Sequence, residues 1–324
     1  MPSAIAAPAE NAAWRRFWPL LLLVAAAVLL ISCGLNLWRD PYWVLREDPP
    51  WTRDGAGASR LLDLGMRRAK PLQIDRLRPD SVLIGSSVVY RGLNPRHLAG
   101  SVYNAGLSSL MAPELPVMAA IVRDIGSVRR VAIGLDYFMF TAMPPPPPVR
   151  ASLATAAGRL EARGSILLSR EALEAAVLDP VRGREPGLWH RNGFKSTPDF
   201  EPALTRRVHA AQDLAAQAYR PPSPSLLAAA LQRLSGLEVV VYLSPMSSAQ
   251  RRLLGVSGRE PEFMRWRAEV AALAAHHRVP LHDLVDAHGF EDFDPERGSS
   301  RFWIDNMHFK PEVGRWVLSR IGWL

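Results

Sequence analysis

The chain is short of cysteine. Its 324 residues contain one, Cys33. An intramolecular disulfide and a cysteine-ligated metal site are both excluded, and cysteine usage says nothing about redox compartment. Dense basic blocks are also missing. The 39 Lys+Arg outnumber the 31 Asp+Glu, for a net charge of +8, but the arginines are scattered and never run longer than a pair. There is no zinc-finger spacing, RNA-binding aromatic signature or basic helix with heptads, which argues against a nucleic-acid partner. No glycine-rich loop leads into lysine, so a phosphate cradle is not indicated. Internal repeats are absent. The low-complexity stretch Pro144–Pro148 reads as a stiff polyproline spacer in a loop.

Charge is also absent from residues 17–38, FWPLLLLVAAAVLLISCGLNLW. At about 1.5 Å per residue this run can cross a hydrocarbon core of roughly 30 Å. Trp14 and Trp18 at one end and Trp38, Tyr42 and Trp43 at the other suit interfacial belts. Arg15 and Arg16 precede the run, while Arg39 and Asp40 after it offset each other, which orients the short tail, residues 1–16, toward the cytoplasm. Leu30-Ile31-Ser32-Cys33 offers a rival reading as a lipoprotein signal, but the apolar run continues past Cys33 to Trp38. Span length and aromatic flanks favour an uncleaved single-pass anchor in the cytoplasmic membrane. Either way the bulk of the chain is expected in the periplasm or other extracytoplasmic space.

Residues 39–78 mix prolines, charges and an amphipathic piece around Arg60–Ala69, and are expected to form a stalk packing onto the domain. The domain is expected to span residues 79–324. Five apolar segments bounded by turn residues read as buried strands: Ser81–Ile84, Val102–Asn104, Val128–Leu135, Leu237–Leu243 and Val279–Leu281. Helical patterns occupy Pro113–Ile125, Leu153–Leu178, Ala203–Tyr219, Leu226–Leu234, Glu262–His277 and Pro311–Ile321. Alternating strands and helices predict a three-layer α/β/α fold around a five-stranded parallel sheet, most economically in flavodoxin-like order. Met264, Trp266 and most of the ten tryptophans are expected in the core or at the membrane boundary.

Function in such sheets gathers at the carboxyl ends of the strands. The first strand is followed by Gly85-Ser86-Ser87 and the second ends in Asn104-Ala105-Gly106. Asp136-Tyr137 follows the third and Ser244-Pro245-Met246 the fourth; Asp305-Asn306-Met307-His308 comes near the end of the chain. A serine hydroxyl becomes nucleophilic when a histidine takes its proton, and a carboxylate fixes that histidine's tautomer. Asp305 and His308, three apart before a helix, can supply both partners to Ser87, with Ser86 as the alternative nucleophile. Backbone N–H groups of Ser87 and Gly106 are candidates for the oxyanion. Ser86, Asn104, Asp136 and Arg91 are candidate pocket residues, with Asn94 and the Lys195-Ser196-Thr197 loop less directly implicated. Alone, Gly-Ser-Ser is commonly a turn and Asp-x-x-His a helix cap; their order and strand context make the set informative. His282, Asp283, Asp286 and His288 are better read as a solvated loop than as a metal site.

These motifs resemble the SGNH/GDSL hydrolase superfamily. Gly85-Ser86-Ser87 stands where that family has Gly-Asp-Ser, Asn104-Ala105-Gly106 matches its glycine turn, and Asp305-Asn306-Met307-His308 matches its terminal Asp-x-x-His. The Gly-Ser-Ser form is similar to anchored extracytoplasmic members of the teichoic-acid D-alanylation and alginate O-acetylation type. The resemblance implies esterase or O-acyltransferase chemistry on acylated cell-envelope glycans, no cofactor, and a membrane-bound O-acyltransferase as partner. One motif departs: Gly134-Leu135-Asp136-Tyr137 stands in place of Gly-x-Asn-Asp, and an ionised Asp136 would repel an oxyanion. That departure leaves room for a non-catalytic binding or scaffold subunit of an envelope polysaccharide assembly.

Overall fold

A computed structural model describes residues 10–141, 147–178, 187–217, 224–291 and 293–324. Most of the Pro144–Pro148 stretch, the first residues of the N-terminal tail and the end of the helix expected at Ala203–Tyr219 lie outside the described residues.

The apolar run lies within α1 (Glu10–Arg39), whose stretch Trp14–Arg39 has mean hydropathy 2.6 and is long and apolar enough to cross a membrane. Two short strands, β1 (Thr52–Arg53) and β2 (Ala56–Gly57), precede α2 (Arg60–Leu77). Then follow β3 (Ser81–Ile84), α3 (Ser87–Gly92), β4 (Val102–Asn104), α4 (Leu115–Ile125), β5 (Arg130–Leu135), α5 (Ala156–Leu167) and α6 (Arg170–Leu178). A hairpin of β6 (Leu188–His190) and β7 (Lys195–Ser196) leads to α7 (Pro202–Gln217) and α8 (Ser225–Arg233). The chain closes with β8 (Glu238–Leu243), α9 (Ser248–Val256), α10 (Glu260–His276), β9 (Leu281–Asp283) and α11 (Pro311–Arg320).

The five-stranded sheet runs in the order β4-β3-β5-β8-β9. Every pair is parallel, with Leu83 opposite Asn104, Ile84 opposite Ile133, and Leu135 opposite Leu243. This is the flavodoxin-like order. Side chains alternate across it as the period of two requires. Val82, Ile84, Val131, Ile133, Val239 and Val241 join one buried cluster with α2, α4, α8 and α10. Leu83, Ala132, Val240 and Tyr242 join the other, with α3 and α11. Burial on both faces explains why the central strands read as apolar runs with no polar alternation.

Residues 39–78 differ from the expected stalk. Tyr42, Trp43, Val44, Leu62, Met66, Ala69, Leu72 and Ile74 are buried in the main core. The amphipathic piece expected around Arg60–Ala69 is the first part of α2, which runs on to Leu77 with Gly65 off helical geometry and Pro71 in its interior. The pattern expected over Leu153–Leu178 divides into α5 and α6 at Leu168–Ser169, where Leu168 serves as the C-cap.

The apolar helix α1 is fastened to this body. Asn36 is fully buried, and its amide donates to the carbonyls of Leu167 at 2.8 Å and Ser169 at 3.1 Å. One turn on, the buried Asp40 carboxylate accepts from the N–H groups of Val44, Leu45 and Arg46 at 2.7 to 3.0 Å.

Candidate active site

Strand β3 ends at Ile84, and Ser86 caps the following helix by accepting from Val88 N–H at 3.1 Å. The cap starts α3 at Ser87, so that side chain projects from the helix's first turn at the carboxyl end of the sheet. Two buried contacts fix α3 in place. Asn104, at the end of β4, donates to the carbonyls of Val89 at 2.9 Å and Leu93 at 2.8 Å, clamping the helix to the sheet. On the opposite side α11 comes so close that a Cβ on Gly314 would lie 1.9 Å from the Gly92 carbonyl oxygen.

The loop before α11 is a tight reversal. Trp303 and Phe309 pair as an antiparallel bridge, and Ile304 N–H donates to the His308 carbonyl at 2.7 Å. Ser247 Oγ donates to the Asn306 carbonyl at 2.5 Å, and Asn306 donates to Gln250 at 2.7 Å, so α9 holds the loop from outside. Inside the reversal Asp305 is buried and accepts from the N–H groups of Met307 at 2.8 Å and His308 at 3.0 Å.

The result brings together three residues from the two ends of the domain. His308 Nε2 lies 2.8 Å from Ser87 Oγ, and His308 Nδ1 lies 2.8 Å from Asp305 Oδ2 and 3.0 Å from Oδ1. An ionised carboxylate only accepts, so the Nδ1 proton points at Asp305 and Nε2 is left to accept the serine hydroxyl. Burial alone would raise the Asp305 carboxyl. The charge and hydrogen bond of His308 and the two backbone N–H groups outweigh it and hold the group below the usual carboxylate range. Ser87 and His308 remain partly exposed, while Asp305 is enclosed. This geometry can take a proton from a hydroxyl and stabilise the imidazolium that forms.

Ser86 is placed differently. Its hydroxyl is fully buried and donates to Asp136 Oδ2 at 2.5 Å while capping α3. Asp136 therefore points at Ser86. Burial pushes its carboxyl above the usual range, against the pull of the Ser86 and Ser244 hydroxyls and the His308 charge.

Gly106 requires a correction. Its N–H, expected to face an oxyanion, donates to Asn104 Oδ1 at 3.0 Å within the turn. The glycine instead permits close approach: a Cβ there would meet the Ser86 carbonyl at 2.8 Å and Tyr90 N at 2.9 Å. Nearby amides are likewise engaged, Val88 by Ser86, Ala105 by the Leu83 carbonyl and Leu107 by the Gly85 carbonyl. Ser87 N–H, an unpaired donor of a first helical turn, has no acceptor among the described residues. Asn104 is a clamp and not a pocket wall.

The remaining candidates make no direct contact with the Ser87–His308–Asp305 series among the described residues. Arg91 lies one turn along α3 from Ser87, with its guanidinium 5.6 Å from the Tyr90 ring centre. Asn94 caps the next turn, accepting from Arg96 N–H at 3.0 Å. Lys195 is ion-paired with Asp63 and sits over the Trp189 ring, and Ser196 bonds back to Leu188. Arg267 takes both Asp283 and Asp286, at 2.7 and 2.9 Å, while His288 bonds the Met246 carbonyl; no His/Cys/Asp/Glu cluster suited to a metal occurs among the described residues.

Beside the Ser87–His308 pair lies a small cavity of about 30 Å³. Val88, Asp136 and Met307 line it on the side of the pair, and Phe263 and Trp266 close its apolar end. Sequence reasoning did not find it, because its walls come from α3, the end of β5, α9, α10 and four loops.

Comparison with protein-family models finds no family that matches the chain, and comparison with curated proteins finds no matching relative.

Proposed function

We propose that the protein is a membrane-anchored, extracytoplasmic serine esterase or O-acyltransferase of SGNH-like type that acts on acylated cell-envelope glycans. The observation that carries this reading is the hydrogen-bonded series Ser87–His308–Asp305, with 2.8 Å separations at both joints. In it, Ser87 Oγ attacks the carbonyl carbon of an ester or thioester as its proton passes to His308 Nε2. Negative charge collects on the former carbonyl oxygen, and the Ser87 N–H, a donor of the first turn of α3, would receive it. The intermediate collapses, and His308 returns the proton to the departing alcohol or thiol. Water or a glycan hydroxyl then attacks the acyl-serine by the reverse steps, with His308 again taking and returning a proton. No cofactor enters this sequence. A membrane-bound acyl donor system, such as a membrane-bound O-acyltransferase, is the partner that α1 would bring within reach.

A fluorophosphonate probe tests the reading. Labelling of the full chain is expected in the wild type and in Ser86→Ala, and is expected to disappear in Ser87→Ala. Equal labelling of Ser87→Ala and wild type would overturn it.

One observation favours a second reading. With Gly106 N–H bound to Asn104, the oxyanion has a single backbone donor, and one lost donor in such a site costs about 10²–10³ in rate. A non-catalytic glycan-binding or scaffold subunit of an envelope polysaccharide assembly would tolerate that. Absence of labelling in every form, alongside binding of an acylated glycan, would select it.

A further inference from the structure

The contact between α1 and the α5–α6 corner has a consequence for where the body sits. Asn36 lies inside the uncharged run, two positions before Trp38. At about 1.5 Å per residue it is only some 3 Å from the end of that run. Its amide donates to Leu167 O and Ser169 O at 2.8 and 3.1 Å, with a longer 3.4 Å contact to Ile166 O. Those carbonyls belong to the last turn of α5 and the link into α6, so the corner stands beside α1 at the level of the span's final turn.

The pairing has the chemistry of a water-poor boundary. Helix-end carbonyls have no partners of their own, and a side-chain amide in an apolar span has none either; at bilayer depth neither finds water. Here the Asn36 N–H group meets the Leu167 carbonyl, otherwise free among the described residues, and adds to two carbonyls that already accept backbone N–H groups, Ser169 O from Leu173 and Ile166 O from Ser169. At the tip of the same corner Leu168 is 63% exposed, and Leu37 and Trp38 on α1 are also exposed. The acids of α6 are turned elsewhere: Glu171 and Glu174 line a groove with Tyr42 and Arg60.

We propose that the α5–α6 corner is a second membrane contact, with Leu168 seated in the lipid boundary of the bilayer that α1 crosses. The occupant of this apolar tip is lipid, argued from its continuity with the span. The inference rests on the reading of α1 as a membrane anchor, and it is independent of the acyl-transfer chemistry. It makes the body a two-point fixture whose orientation over the membrane is set.

The test uses the full chain in phosphatidylcholine/phosphatidylglycerol vesicles, with Cys33→Ser as background. Single cysteines are introduced as Leu168→Cys, Trp38→Cys and Val256→Cys, each labelled with an environment-sensitive fluorophore and read with nitroxide lipids. Val256 is 80% exposed on α9 and reports water. The expected result is roughly two-fold quenching at positions 38 and 168, as for groups about 5–10 Å into the headgroup boundary, and none at 256. Quenching at 38 but not at 168 overturns the proposal and leaves the anchor intact. Quenching at neither removes the anchor reading itself, and the proposal with it. Because Leu168 is exposed, the substitution leaves packing unchanged, and equal thermal unfolding of all three labelled chains checks this.

Discussion

Ser86 and Asp136 hold each other by a 2.5 Å hydrogen bond directly behind Ser87. The pair lies one residue from Ser87 yet belongs to the support of the site. Ser86 caps the helix that carries Ser87, and Asp136 fixes the capping hydroxyl.

Asp136 should therefore set a pH dependence of stability. Burial raises its folded-state pKa above the unfolded value, so the stabilising difference is complete below the unfolded pKa of about 3.9 and is lost as pH rises through the folded pKa. Asp136→Asn keeps an acceptor for Ser86 and removes the titration. The variant's melting temperature relative to wild type should rise progressively from about pH 4 to pH 8. Thermal unfolding across that range measures it, and a variant less stable at pH 8 than at pH 4, relative to wild type, contradicts it.

Asp305→Asn keeps the shape of the loop but can present its amide N–H to His308, favouring the tautomer with the proton on Nε2. If the proposed chemistry operates, kcat should fall by about 10⁴-fold with little change in KM. Steady-state hydrolysis of a p-nitrophenyl ester measures this, and a loss confined to KM would point to a binding role instead.

The Asn104 clamp predicts a coupling between the sheet and the nucleophile. Asn104→Ala leaves the carbonyl of Leu93 and the N–H of Gly106 without their partner, while the Val89 carbonyl keeps the Leu93 N–H, at a cost of about 2–4 kcal/mol. Asn104→Asp can still accept from Gly106 but cannot donate to α3, so it should not rescue. Gly106→Ala should also destabilise, since the added methyl meets backbone atoms at 2.8 and 2.9 Å. Denaturant unfolding separates the variants.

The cavity beside Ser87 has room for about one or two waters. Short acyl chains should fit and longer ones should not. Acetyl esters are expected to exceed hexanoyl esters by at least about ten-fold in kcat/KM, since each excluded methylene is worth about 1–3 kcal/mol. Trp266→Ala removes the far wall and should narrow that ratio. An unchanged ratio in the variant would place the acyl group elsewhere.

Much of this arrangement was legible in the chain itself, and the reason is local chemistry. The five strands are buried on both faces, so each reads as an apolar run between turn residues. Gly85-Ser86-Ser87 and Asp305–His308 are short motifs whose geometry is made by their own turns. What escaped depends on contacts across the chain. Strands β1, β2 and β7 have two residues each, too few to show any period. Helix α3 exists because Ser86 caps it and Asn104, 15 positions away, clamps it. Gly106 invited an oxyanion role because a bare glycine amide looks available; only the fold shows Asn104 Oδ1 in front of it. Lys70 reads as a surface charge on α2, yet it is fully buried, donates to the Asn104 and Gly193 carbonyls at 2.8 and 2.9 Å, and has its ammonium held well below the usual range by burial.

The fastening of α1 through Asn36 and Asp40 ties the apolar helix to the layers that carry Ser87. Roll or tilt the helix and Ser87 sweeps through the same angle, at a radius fixed by the core. Under the proposed function, a polymer strand reaching this hydroxyl would have to descend to a set height, because the body has no slack with which to rise and meet it.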